Sequence, residues 1–161
     1  MPGQERQINL HFLAKPSDVN YRGTVHGGNV MSWIDQAGYA CAVGWSQQSC
    51  VTVYVGGIRF LKPVHVGHLV QVEAKLIYTG RTSMHISVDV NAADPRDKHY
   101  IHCTHCIIVF VALDDQGKPI EVPEWVPKAT DDKALHEYAR RLFDLGKGMQ
   151  QAMQEYLYRE P

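Results

Sequence analysis

Residues 24–45 read TVHGGNVMSWIDQAGYACAVGW. Val30, Ile34, Ala37 and Cys41 recur at i, i+4, i+7 and i+11, the spacing of one helix face. Met31, Trp33, Ala40, Ala42 and Val43 cover the other faces. The segment therefore predicts a helix from about residues 26–28 to Trp45 that is apolar nearly all round, as a buried helix is. Asp35 is the exception inside it. Between Arg22 and Arg59 there is no other Asp, Glu, Lys or Arg. A carboxylate in such surroundings is costly unless a partner or a reaction uses it.

The flanking sequence supplies what must wrap this helix. Residues 7–13 predict a short strand, and KPSDVNYRGTVHGG a loop rich in turn formers. After the helix, SCVTVYVGGIRFLK predicts a strand with a bulge at Gly56 and Gly57. Residues 68–79 alternate, with Val70, Val72, Ala74 and Leu76 on one side and Gln71, Glu73 and Lys75 on the other. Residues 82–92 set Met84, Ile86, Val88 and Val90 against Ser83, His85, Ser87 and Asp89. The turn DPRDKH leads to a strand over 99–114 that ends at DDQGK. One curved antiparallel sheet wrapped around one helix satisfies both periodicities, so the predicted class is α+β. Beyond VPEWVPK, Thr130 or Asp131 is expected to cap a helix running to about Arg159. Leu135, Tyr138, Leu142, Leu145, Met149, Ala152 and Tyr156 form a heptad stripe on it. Gly146 and Gly148 weaken the stripe, each by about 1 kcal/mol relative to Ala. The stripe fits packing on its own domain or a neighbouring subunit, or a lid over a ligand channel. Residues 1–127 read as one domain and 128–161 as a helical extension.

The whole chain has 161 residues and a formal net charge of −1. That length suits one domain with a real core, and the charge excludes nucleic acid as the main partner. MPGQERQINL lacks the apolar run of a secretion signal. No stretch reaches the roughly 18 apolar residues of a membrane span. The expectation is a cytoplasmic protein whose Cys41, Cys50, Cys103 and Cys106 are reduced.

Chemistry converges on the helix start. Adjacent glycines let a ligand approach the backbone, and the first turn of a helix offers unpaired N–H groups and a partial positive charge. Those are the parts that hold an oxyanion; they also make an ordinary tight turn. Asp35 supplies a carboxylate, with a structural hydrogen-bonded role as the alternative. Gly27 and Asp35 are about 12 Å apart along a helix, too far for both to serve one reacting centre. Two antiparallel copies related by a two-fold axis solve this, and predict a dimer with two composite sites.

PSDVNYRGTVHGGNVMSWIDQAG, followed by VTVYVGGIRFLKPVHVGHLVQVEAKLIYTGRTSMHISVDV, resembles the acyl-CoA thioesterases of the hotdog fold, namely the broad-specificity bacterial acyl-CoA hydrolases and their cytosolic animal relatives. The motif P-x-D-x-N-x-x-G-x-x-x-G-G, with an acid beyond it, is specific as a set. The resemblance implies hydrolysis of fatty acyl-CoA to CoA and a fatty acid. It makes Asp35 the catalytic carboxylate and the amides of His26, Gly27 and Gly28 the groups that activate the thioester carbonyl. It places Thr24 where the family often has Asn or Asp. It puts Arg81, Thr82 and Ser83 near the CoA portion, with Arg59 and Lys62 as further cations for its phosphates; an exposed hairpin turn is the alternative for the Arg81 segment. It implies no cofactor beyond the CoA of the substrate, and a trimer of dimers, that is, a homohexamer. Asp35 then acts as general base on water or as nucleophile forming a mixed anhydride.

Other constellations compete. HYIHCTHC, with His99, His102, Cys103, His105 and Cys106, invites a zinc reading. In a regular strand Cys103 and His105 face one side and His102 and Cys106 the other, so no metal is expected. A cysteine nucleophile lacks any activating neighbour. An enoyl-thioester hydratase using His26 and Asp35, and an acyl-CoA-binding regulatory module, remain alternatives on the same fold.

Overall fold

The computed structural model describes residues 5–97 and 99–160. The first residues of the polar N-terminal segment and Lys98 of the DPRDKH turn lie outside the described residues. The elements in chain order are β1 (Gln7–Leu13), a 3-10 turn (Pro16–Asp18), α1 (Gly27–Ser46), β2 (Ser49–Phe60), β3 (Leu69–Thr79), β4 (Ser83–Ala93), β5 (Ile101–Leu113) and α2 (Thr130–Leu157). The five strands form one antiparallel sheet in the order β1-β3-β4-β5-β2. α1 touches all five strands, so the sheet wraps it in the hotdog arrangement.

Small side chains explain how closely α1 nests. Val30, Ile34, Ala37, Cys41, Ala42 and Trp45 are buried on the side facing the sheet. Gly38 sits where an added Cβ would lie 2.9 Å from both Ile108 and Phe110. The sheet answers with Val70, Val72, Ala74 and Leu76 from β3 and Met84, Ile86, Val88 and Val90 from β4, all buried as their alternation requires. The helix ends at Gln47, in the left-handed conformation (φ 56°), whose N–H donates to Val43 O at 2.7 Å.

α1 is not buried all round. Met31, Asp35 and Tyr39 stand exposed on its far side, beside β2, where Val55 is exposed on the same face and Val51 and Val53 on the other. β2 is a sheet edge, which leaves this face open in the single chain. The bulge expected at Gly56 and Gly57 is present: the register shifts between Gly56 and Arg59, and Gly57 has φ 67°.

The outer face of the sheet departs from the alternation reading. His85 and Ser87 are buried, because α2 packs over them. The covering layer is a small second cluster of Ile77, Ile107 and Ala139, with Tyr78, Leu135, Tyr138 and Leu142 around it. Past Leu142 the stripe residues Leu145, Met149 and Tyr156 are exposed, although α2 stays over the sheet, with Phe143 against His85 and Gly146 against Tyr54 of β2. Thr130 and Asp131 do not cap α2. Extended Ala129 precedes its first turn, and Asp131 and Asp132 place negative charge there instead. Asp132 also accepts from Arg6 at 2.6 Å and lies 3.6 Å from Lys75, which ties the start of α2 to β3 and the segment before β1.

Candidate active site

The helix start is set by the loop before it. Asp18 O accepts the His26 N–H at 3.0 Å and the Asn29 side-chain amide at 2.9 Å. Asn20 closes a turn behind them: its Oδ1 accepts the Arg22 N–H at 2.9 Å, the Thr24 N–H at 3.4 Å and the Thr24 hydroxyl at 3.2 Å. This is the backbone-mimicking turn that Asn favours. His26 is the exposed residue before the first turn, and no side chain caps that turn. The N–H groups of Gly27 and Gly28 have no acceptor within the helix. Gly27 packs on Phe60, where an added Cβ would lie 3.3 Å from the ring, while Gly28 faces open space. Thr24, Gly27, Phe60 and Lys62 line one groove of about 340 Å³. Of the expected site residues, the structure brings Thr24, Gly27 and Lys62 together here.

Asp35 stands elsewhere, two turns along α1 on the open face. It is exposed rather than buried in the single chain. The reason is geometric: the run around it is apolar, but its own helix face points past the sheet edge. The Thr52 hydroxyl of β2 donates to Asp35 Oδ1 at 2.6 Å, which fixes the carboxylate and leaves its second oxygen outward. The open face therefore carries an oriented carboxylate among exposed apolar side chains.

The remaining candidates disperse. Arg59, paired in register with His105, is exposed on β2. Arg81 lies 3.5 Å from Glu121, both largely exposed, at the β3–β4 hairpin. Counting from Ser83 to Val90, which is level with Thr104 and Phe60, that hairpin is about 23 Å of strand away from the helix start. Thr82 is held in the backbone network by Ala112, and Ser83 opens on a separate apolar cavity of about 550 Å³ beneath α2. One chain does not unite Arg81, Thr82 and Ser83 with Lys62 or with Asp35.

The cysteines are inert. Burial pushes the Cys41 and Cys106 thiols up to about 12 and raises those of Cys50 and Cys103 as well. Sequence reasoning missed Asn20 and Thr52. Asn20 lay inside the quoted motif, and its N-x-x-G context is a turn signal; Thr52 carries no local signal, since its partner is an α1 residue.

Residues 22–98 match the model of the thioesterase superfamily. The acyl-CoA thioester hydrolase YciA of Escherichia coli is 36% identical over 118 residues, covering 71% of this chain and 89% of YciA. An acyl-CoA hydrolase of Staphylococcus aureus, solved with butyryl coenzyme A and coenzyme A, superposes with a TM-score of 0.88 at 26% identity over 96% of this chain and 94% of that one. An apo-hexameric acyl-CoA thioesterase superposes with a TM-score of 0.87 at 28% identity, covering 93% and 96%. Alanine variants of the S. aureus enzyme at one Asn, one Asp and one Thr have also been solved. Those three positions have the sequence spacing of Asn20, Asp35 and Thr52 here. By that spacing the Asn of that set matches Asn20, to which the Thr24 hydroxyl donates.

Proposed function

The chain belongs to the thioesterase superfamily, among its acyl-CoA thioester hydrolases, and we propose that it hydrolyses fatty acyl-CoA at composite sites between two copies of itself. The observation that carries this reading is the Asp35–Thr52 pair on the open face of α1 and β2. It is a base without a substrate cradle in its own subunit. The missing part is the Gly27–Gly28 start with its Asn20 turn, contributed by the partner subunit. A long apolar strand edge at β2 supports such pairing, because an unpaired edge of this kind recruits another strand.

In the composite site the thioester carbonyl oxygen accepts from the Gly27 and Gly28 amides. The partner subunit's Asp35 takes a proton from water, whose oxygen adds to the acyl carbon. The oxyanion is held by the same amides. Collapse breaks the C–S bond, the thiolate takes the proton that Asp35 had accepted from water, which restores the base, and CoA and a carboxylic acid leave. Asn20 steadies the turn, and its amide NH2 is directed to water or carbonyl. Lys62 in the groove, with Arg59, offers cations for the CoA phosphates, and Arg81, Thr82 and Ser83 serve that portion from another chain. The exposed residues Leu145, Met149 and Tyr156 of α2 support assembly beyond the dimer, to a trimer of dimers. Water and the acyl-CoA are the only reactants, so no further cofactor enters. The four free cysteines support a reducing, cytoplasmic setting.

The test is thiol release from acyl-CoAs of increasing chain length by wild type and Asp35→Ala, with assembly measured by light scattering. A loss of about 100-fold or more is expected for a general base, with assembly intact. Undiminished turnover in the variant, or a monomeric active enzyme, would overturn the composite site. In a single turnover in labelled water, label appearing in Asp35 would replace the general base with the anhydride route.

A further inference from the structure

The regular-strand reading of HYIHCTHC fails at one residue. β5 pairs Asp89 with His105, Val90 with Thr104, and then Asn91 with His102, so Cys103 is the extra residue of a bulge. Both cysteines consequently point into the core, where Cys103 and Cys106 are buried. Both histidines turn to the outer face. There Asp89 Oδ1 lies 2.8 Å from His102 Nε2 and 2.9 Å from His105 Nδ1. The three prospective ligand atoms all lie within 4.8 Å of one another.

We propose that Asp89, His102 and His105 bind a divalent metal ion of the zinc type on the outer face of the sheet, against α2. Two imidazoles and a carboxylate are a donor set suited to such an ion. Zinc holds its ligands at about 2.0–2.2 Å in a tetrahedron, so Asp89 Oδ1 has to draw back slightly from each imidazole while the two rings adjust around the ion. A cluster this well gathered by a bulge is more than a strand surface needs.

The surroundings supply what a metal site requires beyond its ligands. His105 Nε2 lies 2.8 Å from the Tyr138 hydroxyl. With a metal on Nδ1, His105 carries its proton on Nε2 and donates it to Tyr138, the outer hydrogen bond that fixes a ligating imidazole. His102 and Asp89 are each at least one-third exposed, which gives the ion an entry path and leaves its fourth position to water. The site joins β4, β5 and, through Tyr138, α2. It also touches the opposite face of the sheet through backbone: Cys103 O in the bulge accepts the N–H groups of Leu61 and Lys62, the segment that lines the groove at Gly27. The ion is thus structural, bracing the strand behind the helix-start groove, and takes no part in the reaction of Asp35.

The test uses the full chain, stripped with a chelator and titrated with zinc against a chromophoric chelator. One equivalent per chain is expected, with a rise in the thermal midpoint. His102→Gln, at an exposed position, should weaken that equivalent by at least about tenfold and abolish the zinc-dependent rise, and Asp89→Asn should act in the same direction. His65→Gln, in the unrelated His65–His68 pair whose rings lie 5.1 Å apart, should leave both unchanged. Absence of stoichiometric binding, or binding equal in wild type and His102→Gln, would overturn the site and leave the cluster as a hydrogen-bonded latch for α2.

Discussion

α1 and α2 lie on opposite faces of one sheet and hold to it by different means. Eight of the 20 residues of α1 are buried, whereas Ala139 is the buried residue among the 28 of α2. α1 achieves this with Ala37, Gly38, Cys41 and Ala42, which let its backbone approach the strands. α2 rests its first turns on Ile77 and Ile107, continues over His85 and Tyr54 at Phe143 and Gly146, and leaves the side chains of its last turns exposed. The lesson is that α1 decides whether the chain folds, while α2 decides what the folded chain meets. The same α1 also presents Asp35 outward, so one helix carries both core and the proposed base.

This contrast is open to attack from either side. The largest effect belongs to the α1 contact: Phe110→Ala removes a fully buried ring packed on Gly38 and Tyr39. It should cost about 3–5 kcal/mol in denaturant unfolding, and a cost near zero would mean that α1 is not the organising helix. Acid comes next. Burial between Tyr78 and Phe143 lowers the His85 pKa to about 4. The unfolded chain takes up that proton near pH 6.5 and the native chain only near 4, so stability falls as pH drops through this window. The loss is on the order of 3 kcal/mol at most. His85→Gln should flatten the profile, and an unchanged profile would mean that α2 does not seal this face.

Gly38→Ala tests the closeness of the α1 approach. Its Cβ would meet Ile108 and Phe110 at 2.9 Å, and a loss of about 1–3 kcal/mol is expected, as for other overpacked sites. A stabilised variant would show that the helix has room to shift. The smallest effect is reserved for the free end of α2. Met149→Ser changes an exposed residue and should alter chain stability by no more than about 0.5 kcal/mol, while lowering the mass seen by light scattering. A large loss of stability with unchanged mass would reverse the roles assigned to the two helices.

Much of this was legible beforehand, and the exceptions share a cause. The inward sets of β3 and β4 and the buried face of α1 follow from period alone. The Gly56–Gly57 bulge was marked by its glycines. The bulge at Cys103 was not, because no glycine or proline flags it, and the facing of His102 and Cys103 relative to His105 and Cys106 was misread as a result. His85 and Ser87 read only as the face opposite Met84 and Ile86, since alternation does not say which stretch of that face the C-terminal helix covers. Asp35 read as buried because composition reports a neighbourhood in sequence, not the direction of one side chain. Thr52 escaped because it acts through a bond to α1, and Asn20 because its bonds to Arg22 and Thr24 shape a turn whose role lies in the residues that follow it.

The bare edge of β2 has one more consequence. A strand of 12 residues carrying Val51, Val53 and Val55 in the open is a template for any extended chain that reaches it. Its coverage is a matter of mass action, so the thermal midpoint should depend on protein concentration. Dilution then acts as a mild denaturant. During synthesis the danger lies in the interval between folding and meeting a second copy, when the edge assigned to the proposed pairing is also a point of entry into aggregates.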